Sequence, residues 1–293
     1  MESQFSRPLL TAQEVESGLT LEDAMAGQKR AFAAFEAGRA VMGARGVISG
    51  LDSSQFAYIA RASSDGPTIV KFGSVTNGNR DSHLPVVQAF IGVLNQRTGS
   101  LDYFVDGESV TKLRTTAASM VAAQLLGNAF RKIVVIGNGL QGRSHASAAR
   151  KLFQPEELVV VTRSAEKACE DADLIFLCTN SLIPVLTWTP KAGSTVISIG
   201  AFAPTRSEVA SHLLVNGASI FADDSLTSKL QCGSILNALA EKPDLQVTSI
   251  GAVIADPSLG RKDPSENIYY FSVGLGIQDA VVVEQLLEKG SFG

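Results

Sequence analysis

A glycine-rich turn is the part of the sequence whose chemistry is easiest to recognise. Gly137, Gly139 and Gly142 directly follow the apolar run 133–136 and precede a stretch with helical character. In this setting the first glycine permits a tight turn, the second lets the backbone approach a pyrophosphate, and the third lets the helix pack on the strand. N–H groups at the start of the helix then bind phosphate oxygens. We predict that the turn binds a nicotinamide dinucleotide; the alternative is a structural turn that binds nothing. The predicted contacts are the six residues of the turn: Gly137, Asn138, Gly139, Leu140, Gln141 and Gly142.

The end of the next apolar run bears on the choice of dinucleotide. An NAD site usually has an acidic residue about 20 residues beyond the glycines, which holds the ribose 2′-hydroxyl. Here the run 158–161 is followed by Thr162, Arg163 and Ser164. A guanidinium can pair with a 2′-phosphate, and the two hydroxyls can donate hydrogen bonds to it. The pattern favours NADP(H) over NAD(H), the alternative being an ordinary solvated arginine at a strand end.

Two kinds of strand pattern surround these residues. Continuous apolar runs at 133–136, 158–161, 173–178 and 195–199, separated by helical segments, predict a parallel sheet that is covered on both faces. The first third of the chain instead has short strand-like runs, and a hairpin is predicted over 87–105. The fold class is therefore α/β, with a Rossmann-like parallel-sheet domain beside an α+β domain whose sheet is largely antiparallel.

Composition excludes several classes of partner. The 293 residues are 45% hydrophobic and 18% charged, with a formal net charge of −4, so neither nucleic acid nor an anionic membrane is expected as a partner. No apolar run approaches the roughly 20 residues of a membrane-spanning helix, and the first residues do not resemble a signal peptide. The three cysteines and three histidines lack metal-ligand spacing, so no metal site is predicted. The expected location is the cytoplasm.

The order of several motifs resembles the ornithine cyclodeaminase/mu-crystallin family. The matching segments are 106–107, 111–118, 137–142, 172–181, 199–201, 204–208 and 274–279. The resemblance implies a substrate-binding and dimerisation domain formed from both chain ends, residues 1–112 with 272–293. It implies a dinucleotide-binding domain at 113–271 and assembly as a homodimer. It also implies further cofactor contacts at Thr115, Thr179, Asn180 and Gly200.

Three basic residues match the positions that bind the substrate carboxylate in that family. They are Arg45, Lys71 and Arg114, and the resemblance gives Lys71 and Arg114 catalytic roles as well. A guanidinium meets a carboxylate through two parallel hydrogen bonds, as binding of a small amino or imino acid requires. Lys71 lies within an apolar strand, where a charge is costly unless it is paired.

Departures from the family pattern bear on the reaction. Phe202 stands where cyclodeaminases of this family carry an aspartate, and the run 55–61 lacks their early glutamate. Loss of both carboxylates removes the acid–base groups of cyclodeamination, whereas reduction of an imine requires mainly its orientation against a hydride donor. We predict an NADPH-dependent reductase of a C=N bond in a small, cyclic imino acid. A cyclodeaminase or amino-acid dehydrogenase, or a non-catalytic crystallin-like ligand-binding protein, remain the alternatives. Phe202 either shapes the substrate pocket or packs in the core.

A shortened segment follows Arg163. Only residues 165–171 separate it from the strand at Asp173, whereas the family has a longer helix and another strand there. We therefore predict that one edge strand of the nucleotide-binding sheet is missing and that the adenine pocket is more open.

Overall fold

The computed structural model describes residues 8–76, 78–79, 84–162 and 165–290. The chain divides into two compact units, Met1–Arg114 with Leu275–Gly293 and Thr115–Gly274. They are called the first and second unit below. Among the described residues, no helix is both long enough and apolar enough to cross a membrane.

The first unit is built on a seven-stranded sheet. Its strands are β1 (Leu9–Leu10), β2 (Val41–Met42), β3 (Gly46–Ser49), β4 (Ser53–Arg61), β5 (Thr68–Thr76), β6 (Val87–Leu94) and β7 (Leu101–Asp106). The order is β1-β7-β6-β5-β4-β2, with β3 also paired to β4. Every pair is antiparallel except β1 with β7. The predicted hairpin is confirmed as β6–β7.

The two faces of this sheet differ because side chains alternate along each strand. Tyr58, Lys71, Ile91 and Val105 are register partners across β4, β5, β6 and β7, and all four are buried. On the opposite face, Phe72 is 42% and Phe90 43% exposed. One face therefore contains the buried charge at Lys71, and the other is an open apolar surface.

Three helices complete the first unit. They are α1 (Ala12–Gly18), α2 (Leu21–Glu36) and the C-terminal α10 (Gly276–Lys289), together with the start of α3 (Gly107–Leu126). Thr20 begins α2 with a capping box, in which Asp23 satisfies the reciprocal bond. The helix α10 packs against α2 and β4, and Gln28 Nε2 donates to the backbone oxygen of Gln278 at 3.1 Å. This packing fixes the first turn of α10 beneath the buried face of the sheet.

The second unit is built on a seven-stranded sheet that is parallel throughout, in the order β13-β12-β14-β11-β10-β8-β9. Its elements are β8 (Lys132–Ile136), α4 (Leu140–Phe153), β9 (Glu157–Val161), α5 (Ala165–Cys169), β10 (Leu174–Leu177), β11 (Thr195–Ser198), α6 (Ser211–Val215), β12 (Ser219–Ala222), α7 (Ser225–Gln231), α8 (Gly233–Glu241), β13 (Thr248–Ser249), α9 (Ile250–Ala255) and β14 (Ile268–Phe271). The predicted α/β fold class, with a parallel sheet, is confirmed.

The segment between β9 and β10 is short, and the prediction that an edge strand is missing relative to the family stays a prediction. The strand β9 lies at the edge, and between it and β10 the described residues contain α5 alone. An edge strand is covered less well than a central one, and Val160 of β9 is 39% exposed. The sequence did not predict β14, although all four of its residues are buried between β11 and β12.

Candidate active site

A buried ion pair lies at the centre of the first unit. The Lys71 ammonium is 2.6 Å from Asp279 Oδ1, and the two side chains are 3% and 0% exposed. Lys71 Nζ also donates to Thr111 Oγ1 at the start of α3. Burial of a lone ammonium is unfavourable, so Asp279 supplies the partner that an apolar strand position requires.

Asp279 is shared among several donors. Its Oδ2 accepts a hydrogen bond of 2.8 Å from the Tyr58 hydroxyl. Its Oδ1 also lies 3.8 Å from Arg114 Nε. Asp279 stands in the first turn of α10, where a negative charge is favoured by the helix dipole. One carboxylate therefore links β4, β5 and α10.

The other two predicted basic residues lie in the same cluster. Arg114 NH1 donates to Gln278 Oε1 at 3.2 Å, and the Arg45 guanidinium lies 5.4 Å from the centroid of the Tyr58 ring. The structure therefore brings Arg45, Lys71 and Arg114 together around Tyr58 and Asp279. The guanidinium and ammonium groups supply three positive charges against one carboxylate, which is an environment suited to a substrate carboxylate.

Burial and charge shift the protonation of this cluster. Burial lowers the pKa of Lys71, although the charge of Asp279 opposes the shift. Burial alone raises the pKa of Asp279, but Lys71 and Arg114 outweigh it and hold that pKa below its ordinary value. Burial and the charge of Asp279 hold the pKa of Tyr58 well above its ordinary value. The cluster thus contains an ammonium that releases its proton more readily than usual, beside a carboxylate that stays ionised.

The glycine turn has the backbone that the sequence predicts. Gly137 has φ of +116°, and a Cβ there would lie 2.3 Å from the Cys178 carbonyl oxygen. A Cβ on Gly142 would lie 1.9 Å from the Gly137 carbonyl oxygen. Gly139 precedes α4 with no side-chain cap, and nothing lies within 4 Å of the Cβ position there. Closely packed glycines beside an open helix N-terminus fit a bound pyrophosphate.

A cleft of about 440 Å³ adjoins this turn. Gly137, Thr162 and Thr179, three of the predicted cofactor contacts, line it. Glu166 and Trp188 also line it, and neither was singled out from the sequence. A groove that combines the turn, hydroxyl groups and an indole ring is suited to the pyrophosphate and ribose of a dinucleotide.

The remaining predicted cofactor contacts have different environments. Asn138 accepts a hydrogen bond of 2.8 Å from Arg143 NH1 at its backbone oxygen, and Leu140 is 40% exposed. Gln141 is partly buried, Thr115 is buried on α3, and Asn180 is exposed after β10. Arg163 and Ser164, on which the preference for NADP(H) rests, lie outside the described residues.

Glu208 holds two loops at the carboxyl ends of β10 and β11. Its carboxylate accepts hydrogen bonds from the Thr179 backbone and hydroxyl at 2.8 and 2.7 Å. It accepts two more from Ser198 Oγ and the Gly200 backbone, both at 2.7 Å. Burial raises the pKa of Glu208, whereas these four bonds favour its ionised form. Glu208 thereby fixes the predicted contacts Thr179 and Gly200 relative to each other, and this structural role agrees with the capping or pairing role that the sequence predicts for Glu208.

Phe202 lies in the second unit against an arginine. The guanidinium of Arg206 is 4.9 Å from the centroid of its ring, a distance typical of a cation–π contact. The predicted contact of Phe202 with substrate stays a prediction. Among the described residues, no group of three or more His, Cys, Asp or Glu side chains is placed to hold a metal ion.

The sequence matches a family profile and is similar to several known enzymes. The family profile "Ornithine cyclodeaminase/mu-crystallin family" matches residues 6–163 and 150–291. Delta(1)-pyrroline-2-carboxylate reductase of Bacillus thuringiensis subsp. konkukian is 23% identical in an alignment of 311 positions, which covers 96% of each chain. Delta(1)-pyrroline-2-carboxylate/Delta(1)-piperideine-2-carboxylate reductase of Azospirillum brasilense is 26% identical, over 71% of this chain and 72% of that protein.

A solved structure is similar over almost the whole chain. An archaeal alanine dehydrogenase dimer with bound NAD superposes with a TM-score of 0.87 and 28% identity, covering 97% of this chain and 95% of that one. The relatives named here are reductases and a dehydrogenase. They confirm the predicted class of enzyme, an oxidoreductase acting on C=N or CH–NH groups.

Proposed function

Because this chain belongs to the ornithine cyclodeaminase/mu-crystallin family, we propose that it is an NADPH-dependent reductase of the C=N bond in a small cyclic imino acid. One observation carries the proposal: the buried Lys71 ammonium, 2.6 Å from Asp279, lies in one cluster with two guanidinium groups. Relatives that reduce pyrroline and piperideine carboxylates support a cyclic substrate.

The cluster divides two tasks between its basic residues. Arg45 and Arg114 bind the substrate carboxylate, because a guanidinium offers paired donors to two oxygens. Lys71 donates to Asp279 and to Thr111, which accounts for two of the three N–H groups of an ammonium. The third is directed to the substrate and gives its proton to the imine nitrogen. When NADPH is bound, its hydride reduces the imine carbon. One hydride and one proton convert C=N to CH–NH, and the lysine regains its proton from solvent.

The second unit supplies the cofactor contacts. The turn 137–142 and the N-terminus of α4 hold the pyrophosphate, and Thr162 and Thr179 contact the nucleotide from the cleft that they line. Thr115, Asn180 and Gly200 complete the contacts implied by the family. A preference for NADPH comes from Arg163 with Ser164, because β9 ends without a carboxylate that would hold a ribose 2′-hydroxyl.

The cofactor assignment is tested by a titration that follows one residue. Trp188 is the single tryptophan of the chain and lines the cleft, so bound NADPH should quench its emission. NADPH and NADH are titrated in parallel, and we expect NADPH to bind at least tenfold more tightly. Equal affinity, or tighter binding of NADH, contradicts the preference for NADPH and leaves the C=N assignment intact.

The reaction itself is tested by following oxidation of NADPH at 340 nm (a property of the nicotinamide ring). Delta(1)-pyrroline-2-carboxylate and Delta(1)-piperideine-2-carboxylate are the first substrates, and turnover of either supports the proposal. A second candidate is an amino-acid dehydrogenase, which the likeness to the archaeal alanine dehydrogenase favours. Turnover of pyruvate with ammonia, without turnover of the cyclic imines, selects it. Release of ammonia from ornithine or lysine selects a cyclodeaminase.

Assembly as a homodimer is part of the same proposal. The open face of the first sheet carries Ile59, Phe72 and Phe90, each between 42% and 47% exposed, and the two phenylalanine rings lie 6.2 Å apart. Apolar patches of this kind mark interaction sites, and the archaeal neighbour is a dimer. We assign this face to the contact between two copies of the chain.

A further inference from the structure

Tyr58 and Lys71 are placed by the sheet to meet the same carboxylate. They are direct register partners on β4 and β5, so their side chains leave the same face of the sheet. Asp279 Oδ1 accepts from Lys71 at 2.6 Å, and Oδ2 accepts from Tyr58 at 2.8 Å. Each oxygen of the carboxylate therefore has its own donor, and the orientation of the group is fixed by β4 and β5 together.

The Tyr58 hydroxyl is itself held in place. The tyrosine is 8% exposed; its ring stacks on Phe56, with centroids 6.3 Å apart, and lies beneath the Arg45 guanidinium. The charged groups that face it are Asp279 on α10, Lys71 on β5, Arg114 on α3 and Arg45 between β2 and β3. A fixed hydroxyl that donates to Asp279 withdraws part of the carboxylate's charge from Lys71, because two donors share one anion.

We propose that Tyr58 is a positioning residue that fixes Asp279 and thereby sets the pH range over which Lys71 keeps the proton it gives to the imine nitrogen. This inference rests on the proposed function. Tyr58 does not give a proton to substrate; its effect passes through Asp279. The hydroxyl weakens the attraction between Asp279 and Lys71 enough for the lysine to release its proton at the moment of reduction.

The sign of the effect can be worked out for two substitutions. In Tyr58→Phe the carboxylate loses one donor and attracts the ammonium more strongly, so Lys71 keeps its proton to higher pH. In Asp279→Asn the anion is lost, so Lys71 loses its proton at lower pH. Part of the strength of the lost hydrogen bond to the charged group is transmitted to Lys71. We expect Tyr58→Phe to move the pH dependence of kcat/KM upward by about 0.5–1 pH unit.

The experiment is the pH profile of kcat/KM for Delta(1)-pyrroline-2-carboxylate between pH 6 and pH 10. In the wild type, activity falls as pH rises through the range in which Lys71 deprotonates. Tyr58→Phe should move this limb to higher pH and Asp279→Asn to lower pH. Tyr103→Phe removes a hydroxyl from β7 in the same sheet and is the matched control, whose profile should coincide with that of the wild type. A Tyr58→Phe profile that is reduced at every pH but unshifted overturns the proposal.

A second variant covers the case in which Tyr58→Phe does not fold. Incorporation of 3-fluorotyrosine at position 58 keeps the shape of the ring and strengthens the hydroxyl as a donor, so the limb should move to lower pH. An unshifted or upward-shifted limb with this residue overturns the proposal as well.

Failure of the proposed reaction is distinguishable from failure of this inference. Binding of L-proline, a cyclic amino-acid carboxylate, is measured by calorimetry over the same pH range, because loss of the Lys71 charge weakens it. Binding that weakens at higher pH in Tyr58→Phe than in the wild type, without turnover of any imine, supports the role of Tyr58 and rejects the reductase. The role of Tyr58 is rejected if L-proline binding has the same pH dependence in Tyr58→Phe as in the wild type. It is also rejected if the protein neither binds L-proline nor turns over any imine.

Discussion

Removal of the Asp279 charge should destabilise the protein by an amount that depends on pH. In Asp279→Asn the Lys71 ammonium keeps its buried position, 3% exposed, and loses the carboxylate 2.6 Å away. Breaking a buried pair by removing one partner costs about 3–5 kcal/mol. The lysine limits this cost because it can give up its proton. From its ordinary pKa of 10.5, neutralisation costs about 4.8 kcal/mol at pH 7 and about 2 kcal/mol at pH 9, at 1.36 kcal/mol per unit.

The sign follows from proton linkage. In Asp279→Asn the folded-state pKa of Lys71 lies below the unfolded value, because burial disfavours the charge and no carboxylate opposes it. Between those two values the unfolded chain binds more protons, so stability rises with pH. We expect the deficit of Asp279→Asn relative to the wild type to shrink between pH 7 and pH 9 by up to about 1.4 kcal/mol per pH unit.

Urea unfolding followed by far-ultraviolet circular dichroism gives the free energies at each pH. The double variant Lys71→Met/Asp279→Leu replaces both charges with apolar side chains and should be more stable than Asp279→Asn at pH 7, because the buried ammonium is removed together with its carboxylate. The contrary outcome is that Asp279→Asn loses less than about 1 kcal/mol of unfolding free energy at pH 7, or an amount that does not change with pH. Either result would show that the Lys71 ammonium does not need Asp279 as its counterion.

Three further predictions concern the second unit and the open sheet face. Gly142→Ala places a Cβ 1.9 Å from the Gly137 carbonyl oxygen, so the turn must shift and NADPH affinity should fall at least tenfold in the Trp188 titration; unchanged affinity would exclude the turn from the cofactor site. Glu166→Gln removes a negative charge from the cleft, and we expect several-fold tighter binding of NADPH with no gain for NADH, whereas equal gains for both would mean that Glu166 does not face the 2′-phosphate. Phe72→Glu puts a charge on the open face and should convert dimers to monomers in light scattering, which the exposed-turn control Thr98→Glu should not do; dimers that persist place the interface elsewhere.

The sequence predicted those features that depend on neighbouring residues. Each of these signals is formed by residues that are close together in the sequence. The glycine spacing at 137–142 specifies a turn, and the apolar runs of β8, β9, β10 and β11 specify a buried parallel sheet. The sequence missed β14. Its run Ile268–Phe271 is short, and it is a strand because it pairs with β11 and β12, which lie far from it along the chain.

The pairing within the site is a long-range property and was predicted only in part. The apolar setting of Lys71 required a buried partner. The segment 274–279 matched the family, but the sequence did not identify Asp279 as that partner, which lies 208 residues away. Tyr58 is 221 residues from the same carboxylate, and its hydroxyl has no local pattern that would reveal a role. The alternation of β4 and β5 predicts that Tyr58 and Lys71 share a face once the register is known, and the register comes only from the folded sheet.

The ionisation of Asp279 bears on which residue of the cluster can move a proton. Both of its oxygens accept hydrogen bonds from buried donors, and the charges of Lys71 and Arg114 overcome burial to keep its pKa low. Such a carboxylate is a poor base at neutral pH, so it does not take a proton from a substrate ammonium, as cyclodeamination would require. Lys71, whose pKa burial lowers, is suited to give a proton. Under the proposed function, the cluster therefore protonates the nitrogen of an imine during reduction, with Lys71 and not Asp279 as the group that moves the proton.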